Sequence, residues 1–183
     1  MYLWLCLFFW SFMTFFAVGP VYAVKWLHLS EHDVGYIWLF NTILIVLTNL
    51  WVNRLTAGYP LPRLLAAGCT FQAATYLTLA LAPGVGGLIL ATLWLTVGEM
   101  LLFSNANAYV AKVVPPEKMG RAMGVNALCV SLALMTSAPT MGYFFSHHSP
   151  VWLWAAMGGA AALAALGMTG LPGHEQQGRE PQQ

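Results

Sequence analysis

Charge is what this sequence has least of. Asp, Glu, Lys and Arg make up 7% of the 183 residues, against 59% hydrophobic, whereas a soluble domain carries roughly a quarter charged residues. No water-soluble fold of this length hides so much apolar surface, so the chain is better divided by the thickness of a bilayer than into soluble domains. The seven basic residues are scattered singly; they form no patch able to track phosphates, which excludes a nucleic-acid partner. Cysteine is almost as scarce. Cys6, Cys69 and Cys129 lie in apolar stretches without CxxC spacing, the pattern of small buried hydrophobes rather than of disulfides or metal ligands. Catalytic patterns are missing too: there is no serine elbow, HExxH or glycine-rich phosphate loop, and no pair of acids on one helix face. The chain is therefore not expected to be an enzyme or to hold a cofactor.

What the sequence does have is long apolar runs. Turn residues and charges cut it into six blocks: Tyr2 to Val24, Val34 to Val52, Leu64 to Leu81, Gly87 to Val110, Met123 to Phe145 and Val151 to Leu171. Each is long enough to cross the hydrocarbon core, which takes about 20 helical residues. The fold class that follows is all-α, a polytopic membrane bundle of six transmembrane helices over residues 1–171. The tail, residues 172–183, is rich in Gln, Gly and Pro and is expected to be a disordered cytoplasmic segment. Val21-Tyr22-Ala23 looks like a signal-peptide cleavage site, but no basic residue precedes the uncharged run from Tyr2 to Val24, and that run suits a retained helix. Ser30 stands three residues before Asp33, a pattern for capping the second helix.

Basic residues near helix ends stay on the cytoplasmic side. One side of the predicted topology holds Arg54, Arg63, Lys112, Lys118, Arg121 and Arg179, and the other holds Lys25. Both termini are thus expected in the cytoplasm of a chain in the inner (plasma) membrane. Trp4, Trp26, Trp51, Trp152 and Tyr59 fall near block ends, where amphipathic rings favour the headgroup layer.

Three segments carry a family resemblance. Gly98-Glu99-Met100-Leu101 is followed by Asn105-Ala106-Asn107-Ala108-Tyr109-Val110-Ala111, and then by Pro115-Pro116-Glu117-Lys118-Met119-Gly120-Arg121-Ala122-Met123-Gly124. Together they resemble the junction between the tenth and eleventh helices of multidrug-resistance-type members of the major facilitator superfamily. Ser137-Ala138-Pro139-Thr140-Met141-Gly142 is similar to the second-half echo of that superfamily's antiporter motif. The loop from Asn53-Arg54 to Arg63 sits where the superfamily repeats its acidic and basic gating loop, with Asn53 in place of the usual aspartate. The resemblance covers residues 2–171 and implies the C-terminal six helices of a twelve-helix fold whose halves rock about a central site. It implies further that the first and fourth helices face the cavity, that the second and fifth flank it, and that the third and sixth lie outside.

Glu99 is the sharpest single observation, a lone acid near the middle of the fourth block. A charge there costs on the order of 3 kcal/mol unless it is paired, solvated or protonated. Two readings stand open: a protonatable group that couples transport to a proton gradient or balances a cationic substrate, and a protonated brace between helices. Helical spacing sets Thr92, Thr96, Glu99 and Phe103 on one face. Asn41 with Thr48, and Thr42 with Asn49, make a polar strip on the second helix that is not expected to face lipid. Ser11 and Thr14 add polar groups among the aromatics of the first. These residues are the candidate substrate or proton pathway. Pro139 and Gly142 are candidates for a helix kink, and Arg54 and Arg121 for the gate. Gly120 with Gly124, and Gly158, Gly159 and Ala162, read as packing surfaces. Thr70, Gln72, Thr75 and Thr78 on the third helix read as inter-helix hydrogen-bonding groups. His28, His32, His147 and His148 read as solvated loop residues, with a metal site as the alternative.

Without a nucleotide-binding motif, transport would be secondary. The expected function is proton-coupled efflux of small lipophilic or cationic compounds. The expected partners are a small-molecule substrate, the lipid bilayer, the proton, and a missing N-terminal six-helix half or a second copy of this chain. A non-transporting accessory subunit and a homodimeric half-size transporter are the alternatives.

Overall fold

The structure, a computed structural model, describes residues 2–171; the predicted tail, residues 172–183, lies outside them. Six helices follow one another: α1 (Tyr2–Lys25), α2 (Glu31–Thr56), α3 (Leu61–Leu81), α4 (Val85–Val113), α5 (Met119–His147) and α6 (Pro150–Thr169), with a 3₁₀ turn at Pro116–Lys118 before α5. All six are long and apolar enough to cross a membrane. Every predicted block became one helix, and most helices run beyond their apolar block. α4 and α5 each have 29 residues, about 43 Å at 1.5 Å per residue, which exceeds the ~30 Å hydrocarbon layer. The surplus carries Lys112 and Arg121 into the polar zone.

The helix ends follow from local chemistry. At α2 the Asp33 amide donates to Ser30 Oγ and the Ser30 amide donates to Asp33 Oδ2, both at 3.2 Å. This capping box satisfies two backbone donors that a helix start leaves free. Pro62 and Pro150 stand in the first turns of α3 and α6, where the missing N–H costs nothing. Lys25 ends α1, and His28 then takes the left-handed region at φ 55, which lets the Leu29 amide fold back to the Ala23 carbonyl at 3.1 Å.

α3 packs between α4 on one side and α6 on the other. α1 lies against α5 and α6 and touches α2; α2 rests mainly on α4. Lipid is as apolar as leucine, so such contacts depend on close packing more than on escape from water. The α3 and α4 backbones come close at Gly68 and Gly98. A Cβ placed on Gly98 would meet the Gly68 carbonyl oxygen at 2.9 Å, and one on Gly68 would meet the Gly98 oxygen at 3.1 Å. Gly158 brings α6 close to Tyr76 in the same way. The other predicted glycine surfaces differ: a Cβ on Gly120, Gly124 or Gly159 meets nothing within 4 Å, and Ala162 is exposed. These small residues look away from the bundle.

Two further expectations are corrected. Cys6 and Cys129 are joined as a disulfide between α1 and α5, with Cα atoms 4.9 Å apart, while Cys69 is free and buried. Sequence spacing could not show this pairing, because 123 positions separate the two cysteines. The α3 threonines do not bridge helices either. Thr70, Thr75 and Thr78 each donate to the carbonyl four residues earlier in α3, because a threonine hydroxyl reaches its own preceding turn before it reaches a neighbour.

Candidate functional site

The middle of α4 and the helix faces against it form the candidate site. Glu99 stands fourteen residues from Val85 and fourteen from Val113, at the centre of its helix. It is part-buried, and its Oε2 is enclosed with no hydrogen-bond partner among the described residues. Its neighbour Gly98 is the residue that lets α4 approach α3.

The predicted α4 stripe is present, but it faces inward. Thr92 and Thr96 are almost wholly buried. Asn41 Nδ2 donates to Thr96 Oγ1 at 2.7 Å, and Thr96 Oγ1 donates to the Thr92 carbonyl at 2.7 Å. Thr48 adds a contact to Met100 Sδ at 3.4 Å. Thus the Asn41 and Thr48 half of the α2 strip meets α4. Thr42 of the other half is exposed, and Asn49 accepts from Asn53 at 3.3 Å.

Phe103 sits among Phe8, Phe9 and Phe12 of α1, with ring centroids 6.4, 5.5 and 5.1 Å away. Phe16 stacks on Trp38 at 4.8 Å. Edge-to-face and tilted contacts of this kind fill space without leaving a lumen. Ser11 and Thr14 are fully buried and donate to the Phe8 and Trp10 carbonyls of their own helix. The gap bounded by Phe15, Gly19, Val34, Trp38, Leu88 and Thr92 measures about 10 Å³, room for at most one water. Within the six helices these residues make a packed polar seam and an aromatic core.

The predicted gating residues lie apart from it. Arg54 is in the last turn of α2 and Arg121 in the first turn of α5, both exposed. Pro139 and Gly142 are on an exposed stretch of α5, which continues through the proline to His147. Pro139 has no amide to offer the carbonyl four residues back. A groove of about 620 Å³ lies at the α4–α5 elbow, lined by residues 111–116 and Met119.

The residues that sequence reasoning underused are Gln72 and Tyr76. Both are fully buried; Gln72 Nε2 donates to Tyr76 Oη at 3.1 Å, and Tyr76 Oη donates to the Ser11 carbonyl of α1. The tyrosine ring also stacks on Trp154 of α6, with centroids 6.0 Å apart. A spacing of four puts Gln72 and Tyr76 on one face, which was the available signal. Their bond to α1 was not legible, because it depends on how α3 lies in the bundle.

Known proteins place this arrangement. Residues 1–183 match the profile of the Major Facilitator Superfamily. A solved structure of a POT family transporter in complex with 5-aminolevulinic acid superimposes with a TM-score of 0.75 at 18% identity, over 91% of this chain and 39% of that one. The chain therefore spans well under half the length of that transporter, and at this identity the likeness speaks for the fold. No curated protein matches the sequence. Six membrane-crossing helices in this order, together with the family match over residues 1–183, make the chain a member of the major facilitator superfamily.

Proposed function

We propose that the chain supplies six helices of a secondary transporter that exchanges a small lipophilic or cationic compound for protons, with Glu99 as the group that takes and releases the proton. The observation that carries this reading is Glu99 itself: the lone acid away from the helix ends, at mid-helix, with an enclosed oxygen that has no hydrogen-bond partner among the described residues. An intramembrane acid without a basic partner is costly unless it spends part of its time protonated. Membership of a transporter family supports membrane transport in general. Efflux, the multidrug character and cytoplasmic termini in an inner membrane rest on the sequence resemblance and on the asymmetry of Lys and Arg.

The test is transport of a lipophilic cation by the chain reconstituted in vesicles with an imposed pH gradient. Glu99→Gln is expected to remove gradient-driven accumulation while leaving insertion intact. Accumulation that persists unchanged in that variant would overturn the reading.

A second six-helix unit, either the remainder of a longer protein or a second copy of this chain, is favoured by α2. Val34 and Asn41 are its only buried residues, while Leu39, Phe40, Ile43, Leu47 and Leu50 are exposed.

A further inference from the structure

Four polar groups near the centre of the bundle form an incomplete relay. Tyr76 Oη donates to the Ser11 carbonyl on α1, and Gln72 Nε2 donates to Tyr76 Oη. In a regular helix the Ser11 carbonyl is the partner of the Phe15 amide. Tyr76 therefore sits at one rung of the α1 ladder, a place where an inserted polar group can bend a helix. The relay stops at Gln72 Oε1, which is fully buried and accepts nothing. A buried carbonyl without a donor costs on the order of 1–3 kcal/mol. On the next helix Glu99 Oε2 is likewise enclosed and unbonded. The two helices meet at this level: a Cβ on Gly98, the residue before Glu99, would lie 3.4 Å from the backbone nitrogen of Gln72.

Two unfilled acceptors on facing helices become a pair when one of them gains a proton and turns to the other. We propose that Gln72 is a positioning residue for the Glu99 proton: protonated Glu99 donates to Gln72 Oε1, completing a chain from Glu99 through Gln72 and Tyr76 to the Ser11 carbonyl. Every donor in that chain then points the same way, an order in which successive bonds strengthen one another. When Glu99 is ionised there is no donor, and the carboxylate and the amide oxygen repel. The protonation state of α4 is thus reported to the backbone of α1. No other formal charge competes. The facing segments, residues 2–24 of α1, 34–53 of α2, 64–81 of α3 and 122–146 of α5, contain no Asp, Glu, Lys, Arg or His. Their titratable side chains are Tyr2, Tyr22, Tyr36, Cys69, Tyr76 and Tyr143, with Cys6 and Cys129 tied up in the disulfide. On α4 itself Tyr109 lies ten residues on from Glu99.

This inference rests on Glu99 carrying the exchanged proton, so the experiment separates the two. Infrared spectra of the full chain in bilayers are recorded across pH. The carboxylic-acid C=O band that vanishes in Glu99→Gln is the Glu99 band. In Gln72→Met, similar in length but without the acceptor, that band is expected to move to higher wavenumber. A second measurement reads Gln72 directly. A ¹³C side-chain label on glutamine marks Gln72 together with Gln176, Gln177, Gln182 and Gln183; the component lost in Gln72→Met is the Gln72 carbonyl, and in the unsubstituted chain it is expected to shift in step with Glu99. A titrating Glu99 band that is unmoved in Gln72→Met, with a pH-invariant glutamine carbonyl, overturns the relay and leaves proton coupling standing. Absence of any titrating Glu99 band overturns both.

Discussion

Asn41 of α2 and Thr96 of α4, 55 positions apart, are joined by a buried 2.7 Å hydrogen bond in which the amide donates and the hydroxyl accepts. α2 is otherwise lightly held: Val34 and Asn41 are its buried residues, with Trp38 packed on Phe15 and Phe16. Inter-helix hydrogen bonds in membranes contribute about 0.6 kcal/mol on average and up to about 1.7. Asn41→Leu is expected to lower stability by about 1 kcal/mol in reversible unfolding from mixed micelles. Thr96→Val should cost a similar amount, and the double variant less than the sum of the two.

The Gly68 and Gly98 contact predicts an asymmetry among glycines. Gly98→Ala puts a methyl 2.9 Å from the Gly68 carbonyl oxygen, so the α3 and α4 backbones must part. A loss of about 1–3 kcal/mol is expected, as for overpacking. Gly124→Ala has nothing within 4 Å and is expected to be neutral or slightly stabilising, because alanine favours the helix. Equal unfolding midpoints for the two variants would contradict the packing described.

Thiol chemistry tests the α1–α5 link. Alkylation in denaturant without reductant should label Cys69 alone, and with reductant all three cysteines. Mass spectrometry of the unreduced digest should show the Cys6 and Cys129 peptides joined. Three labelled thiols without reductant would show that the pair is not bonded.

His28 holds a left-handed backbone at φ 55, a conformation that costs a residue with a Cβ about 1 kcal/mol or more. His28→Gly should raise the thermal midpoint by the equivalent of up to about 1 kcal/mol, reduced by the greater freedom of glycine in the unfolded chain. His28→Val should lower it, since a β-branched residue tolerates that region least.

The sequence was most informative where one dimension sufficed. Six apolar blocks became six helices, because in lipid a backbone must satisfy its own hydrogen bonds. Ser30 and Asp33 formed the expected cap because all its partners lie within one turn. Asn41 and Thr96 were each identifiable as polar positions, but their meeting was not, since it depends on how α2 leans on α4. The same limit hid the Cys6 and Cys129 pair and the bond from Tyr76 to Ser11. The closing of Phe8, Phe9 and Phe12 around Phe103 is a meeting between helices of the same kind. Polarity in the spans also misled: Thr70, Thr75 and Thr78 suggested bridges but bond back within their own helix.

The central position of Glu99 in α4 also has an electrical consequence. Moving one elementary charge across a whole membrane takes ~2.3 kcal/mol per 100 mV. A proton that reaches a residue fourteen positions from either end of its helix travels about half of that drop, worth about 1.2 kcal/mol per 100 mV. Under the proposed exchange, proton occupancy at Glu99 depends on voltage as well as on acidity. With access from the positive side, polarisation raises occupancy as a lower external pH would; with access from the negative side, it drains the site.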